Sequence, residues 1–64
     1  MNNYKEWIIQ YNGNLRKVLE GTHTMVDIIN QRYAIIRALD EEVPYIKGLI
    51  QIEHMEESRP IYEI

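Results

Sequence analysis

The sequence predicts a small α+β domain of ββαβ order, an antiparallel sheet covered on one face by one helix. Three observations predict it. Large residues alternate at Trp7, Ile9 and Tyr11 before Asn12-Gly13-Asn14, an amphipathic stretch runs from Met25 to Asp40, and alternation returns at Ile46, Gly48, Ile50 and Ile52. The chain has 64 residues and is expected to form a single domain, residues 1–64, burying only about 60% of its unfolded surface. So small a core leaves self-association or a partner as a natural supplement to stability.

In the first element, Trp7, Ile9 and Tyr11 share one face of a strand, and Asn12-Gly13-Asn14 supplies residues that tolerate positive φ. Leu15 to Glu20 then returns antiparallel. A helical period also fits, with Tyr4, Trp7, Ile8, Tyr11, Leu15, Val18 and Leu19 in one stripe. The interior Asn-Gly-Asn would cost such a helix about 2 kcal/mol relative to alanines, which favours the hairpin.

The second element is a helix from Met25 to Asp40, with Thr24 as N-cap and Asp27 in the first turn. Met25, Ile28, Ile29, Ile35, Ile36 and Leu39 form its apolar side. Arg32 falls near the middle of that stripe. A charge there must snorkel, pair with a carboxylate, or reach a partner across an incompletely covered face, and Arg32 is therefore a candidate interface residue.

Pro44 breaks the helix, after which Ile46 to Glu53 reads as a strand. A further helix starting at Pro44 is the competing assignment, because proline suits a first helical position. With it the chain becomes an all-α three-helix bundle. The closing Ile61-Tyr62-Glu63-Ile64 is apolar and is expected to dock on its own sheet or a neighbouring molecule, which makes Ile61 and Tyr62 candidate interface residues.

The charge of −3 is unevenly placed. Residues 1–39 carry five basic against three acidic side chains, net +2, and residues 40–64 carry two against seven, net −5. An acidic C-terminal third repels phosphate backbones and attracts basic protein surfaces, which disfavours nucleic acid as a partner and singles out Glu53, Glu56 and Glu57. Binding of DNA or RNA would have to run through Lys5, Arg16 and Lys17.

No catalytic constellation stands out. Ser58 lies in the polar run Glu56-Glu57-Ser58-Arg59, Thr22-His23-Thr24 reads as a helix entry, and the chain has no cysteine. His23 and His54 are 31 positions apart, without zinc-motif spacing. No enzymatic activity, metal or cofactor is expected. Neither a membrane span nor a signal peptide is apparent, and the lack of cysteine fits a cytoplasmic location.

Across residues 4–54 the order of features resembles small phage-encoded and prophage-type proteins that fold as hairpin, helix and strand and block a host enzyme, such as phage inhibitors of bacterial RNA polymerase. Trp7-Ile8-Ile9-Gln10-Tyr11, Asn12-Gly13, Thr24 with Asp27, and Ile50-Gln51-Ile52-Glu53 carry the likeness. It implies an inhibitor of a host protein and transfers no individual functional residue. The expected role is a non-catalytic module binding a larger protein through its acidic surface. A nucleic-acid-binding or regulatory domain and a structural homo-oligomer, such as a homodimer, are the alternatives.

Overall fold

A computed structural model of the chain describes residues 4–58. Strand β1 (Tyr4–Tyr11) leads into the one-turn helix α1 (Leu15–Val18), followed by strands β2 (Met25–Ile28) and β3 (Tyr33–Leu39). A 3-10 turn (Asp40–Glu42) feeds the short helix α2 (Val43–Lys47), and strand β4 (Ile52–Glu57) completes the described chain. The four strands form one antiparallel sheet in the order β2-β3-β1-β4.

The α+β class and the antiparallel sheet agree with the expectation, and the three-helix bundle is excluded. Strand β1 is where the alternation places it: Ile9 and Tyr11 are buried on one face with Trp7 beside them, while Ile8 faces away. Gly13 takes the positive φ expected of the turn, at 78°. Leu15 to Glu20, however, does not return as a strand. The Asn14 side chain accepts a hydrogen bond from the Lys17 amide at 3.3 Å, capping α1 instead, and Leu15 and Leu19, four apart, are both buried.

The largest correction concerns residues 25–40, which form the β2–β3 hairpin rather than a helix. Both periods fit this stretch. As strands, its β-branched residues and Tyr33 gain a pleated surface, and Ala34, Ile36 and Ala38 alternate onto the covered face, where all three are fully buried. β3 also pairs with β1 from Tyr4 to Gln10, which a helix would leave without a partner on that side. Asn30 makes the turn: its side-chain oxygen accepts from the amides of Arg32 (2.8 Å) and Tyr33 (2.9 Å).

Residues 43–47 resolve in favour of the helix at Pro44, in a five-residue form, so the strand expected from Ile46 starts later, at Ile52. Ile46 is fully buried on the inner side of α2, whereas Ile50 in the following turn is almost fully exposed. One buried cluster joins Ile9, Tyr11, Leu15, Leu19, Ala34, Ile36, Ala38, Val43, Ile46 and Ile52. The small Ala34 and Ala38 flank Ile36 on β3 and leave room for the helical layer. Each fully buried Ile or Leu contributes about 1.5–3 kcal/mol of transfer free energy. The opposite face of the sheet carries no covering element among the described residues. Ile61 and Tyr62 lie outside the described residues.

Candidate functional site

The helical layer covers one sheet face and β1 and β3 take the centre, so three features remain for recognition: the β4 edge, the β2 edge and the open face. The β4 edge holds the acidic residues singled out above. Tyr11 pairs with Ile52 but Gln10 with His54, so Glu53 is an extra residue, a bulge in the ladder. Its carboxylate accepts from Asn12 Nδ2 at 2.8 Å through one oxygen and from Gln10 Nε2 at 3.2 Å through the other.

Glu56 and Glu57 lie further along β4, opposite Ile8 and Trp7 of β1, and so project to opposite faces. The three glutamates therefore share one edge rather than one face. His54 Nε2 lies 3.3 Å from Glu56 Oε1, and among the described residues no lysine or arginine forms an ion pair with any of the three. The Ser58 amide donates to the Glu6 carbonyl at 2.9 Å. That bond sets the phase of the antiparallel ladder, leaving the N–H and C=O groups of Met55 and Glu57 pointing outward.

Arg32 is not in an apolar stripe, because the helix that would have made one does not form. It sits exposed in the β2–β3 turn, its carbonyl accepting from the Tyr11 amide at 2.8 Å. There Arg32 and Glu53 border the same open depression, about 490 Å³ in volume, together with Tyr11, Asn12, Gly13 and Gln31. Two residues 21 positions apart, chosen for unrelated reasons, are thus brought to one end of the sheet. The depression is polar, widely open and formed by turns, a shape suited to contact with another chain's polar side chains more than to enclosing a small substrate.

The remaining candidates are dispersed. Lys5 lies 3.8 Å from Asp40 and shares its charge with it, which weakens the case for a phosphate-binding set of Lys5, Arg16 and Lys17. Thr22 caps no helix entry: its hydroxyl donates to the Leu19 carbonyl at 2.7 Å and fastens the end of α1. His23 is held by Glu42, which accepts from the His23 amide at 3.0 Å and lies 3.1 Å from its Nδ1. Among the described residues no group of three His, Asp or Glu side chains is arranged to hold a metal, and no helix is long and apolar enough to cross a membrane.

Sequence periodicity missed the open face. Tyr4, Ile8, Met25 and Tyr33 are exposed there around the half-buried Ile35. Its signal was present as the alternation Tyr33, Ile35, Arg37, Leu39, masked by a helical period that fits the same residues. Comparison with known proteins finds no matching family model, no matching curated protein and no matching solved structure.

Proposed function

We propose that this chain is a non-catalytic protein-binding module whose acidic edge strand engages a basic, extended segment of a larger protein. The observation that supports it is β4 itself, an outermost strand carrying Glu53, Glu56 and Glu57 with no lysine or arginine ion pair among the described residues. Strand addition supplies main-chain hydrogen bonds at the outward groups of Met55 and Glu57, and the glutamates on both faces select a segment bearing lysines or arginines. Arg32, across β1 from the start of that edge and bordering the same depression as Glu53, would turn away a cation and accept an acidic residue there, which fixes the segment's direction. The inhibitory role implied by the resemblance follows where that segment belongs to an enzyme's working surface.

The test is a titration of the ¹⁵N-labelled protein with a soluble peptide of alternating lysine and valine. Amide shifts should concentrate on Met55, Glu57 and their neighbours, weaken steeply with salt, and disappear in the folded E53Q/E56Q/E57Q variant. Shifts confined to the open face or to β2, or persistence of binding in the variant, would remove this reading.

A further inference from the structure

The two outer strands of the sheet differ in chemistry. β4 is guarded by three glutamates, the usual protection of an edge, whereas β2 carries one charge, Asp27, beside Met25 and Ile28, which are 51% and 40% exposed. The Ile29 amide donates to the Tyr33 carbonyl at 3.0 Å, which puts residues 25, 27 and 29 in register to bond β3. The N–H and C=O groups of Val26 and Ile28 therefore point outward.

We infer that β2 is a homodimer edge, pairing antiparallel with β2 of a second copy about a two-fold axis at Val26, so that the two sheets join into one of eight strands. A second copy is the occupant for reasons of charge and closure. Pairing β4 with β4 sets glutamates against glutamates, and pairing β2 with β4 is head-to-tail, brings Asp27 to the acidic edge, and forms a ring or a filament rather than a dimer. β2 with β2 closes in one step about a two-fold axis and is free of the glutamate repulsion.

An axis at Met25 would set Thr22 opposite Ile28, but the Thr22 amide already donates to the Leu19 carbonyl at 3.2 Å, which leaves axes at Val26, Asp27 and Ile28. An axis at Asp27 puts Asp27 directly opposite its own copy. An axis at Ile28 requires the Asn30 backbone to pair outward, but its amide already donates to the Tyr33 carbonyl at 3.1 Å and its carbonyl accepts from the Tyr11 hydroxyl at 2.6 Å. An axis at Val26 uses Thr24, whose backbone forms no hydrogen bond among the described residues. It sets Met25 opposite Asp27 of the second copy. Arg37, the β3 neighbour of Met25, then lies two strand spacings from that Asp27, roughly 9.6 Å, within reach of an extended guanidinium. Arg37 Nε already stands 3.8 Å from Glu6 Oε1 of β1, so Asp27 of the second copy would share this cation with Glu6, on both sides of the axis.

Light scattering during size exclusion, across a concentration series, is the first measurement. The wild-type chain should show twice its 7.7 kDa mass at high concentration. A monomer throughout, or mass that grows without limit, would overturn the proposal. Val26→Pro removes the outward N–H together with part of the Val26 side chain's packing against the core, and should yield a less stable monomer that keeps its sheet spectrum, whereas a persisting dimer overturns the proposal. Met25→Asp, favourable beside Arg37 in the monomer, should weaken the dimer about five- to tenfold by facing Asp27 of the second copy twice. Adding Asp27→Lys should restore it. Failure of that rescue would overturn the register.

Discussion

Glu53 accepts hydrogen bonds from Asn12 and Gln10, one through each carboxylate oxygen, at the residue where the β1–β4 ladder bulges. A bulge leaves an unpaired residue, and here its side chain ties the end of β1 to the start of β4. Glu53→Ala should therefore cost about 0.5–1 kcal/mol, an exposed charge-assisted pair discounted for solvent, and lower the thermal midpoint by about 3–6 °C. Asn12→Ala should cost no more than this, and the double variant should lose less than the two single losses combined. A melting series of the three variants checks it.

Two periods fit both the first element and residues 25–40, and only the first contains a breaker, Asn12-Gly13-Asn14, that decides between them. Trp7, Ile9 and Tyr11 read as one face of a strand because Asn12 and Gly13 end the run. Residues 25–40 satisfy both a period of two and one of 3.6, and what decides between them is β1, whose central position needs β3 as a non-local partner. Such pairing leaves no mark within a window of sixteen residues. The same holds for Arg32 and Glu53: each was visible as a candidate, but their meeting depends on the turn that the helical assignment denied.

Asn30 gives the sharpest test of that hairpin. Within a helix Asn30→Ala would be stabilising, since alanine has the better propensity. In the turn, its side-chain oxygen accepts from two amides, at 2.8 and 2.9 Å, and Asn30→Ala should destabilise by about 1 kcal/mol. Urea unfolding reads the sign directly. Tyr11→Phe, which removes the bond from the buried Tyr11 hydroxyl to the Asn30 carbonyl, should cost a similar amount and couple to the Asn30 change, because both act on one turn.

Two glycines should respond in opposite directions to alanine. Gly13 has φ of 78°, so a Cβ there is strained and Gly13→Ala should cost about 1–2 kcal/mol. Gly48, after α2, has φ of −83°, and an added Cβ would meet the carbonyls of Pro44 and Tyr45 at 3.6 Å, ordinary contact. Gly48→Ala should be stabilising by about 0.4–1 kcal/mol through the unfolded chain. Denaturation midpoints of the pair decide it.

Trp7 is the chain's one tryptophan, and Lys47 Nζ stands 5.1 Å from the centroid of its ring. That contact joins α2 to β1 across the covered face. The indole Nε1 of Trp7 is buried with no hydrogen-bond partner among the described residues, so the ring is held by packing and by this cation rather than by a polar anchor. Lys47→Met keeps much of the apolar stem and removes the charge, and should cost about 0.5–1 kcal/mol. Because Trp7 reports on its own surroundings, the same variant should shift the tryptophan emission while leaving the far-UV circular dichroism unchanged. An unchanged emission maximum with unchanged stability would mean that Lys47 spends its time in solvent, and that α2 is held to the sheet by Val43 and Ile46 alone.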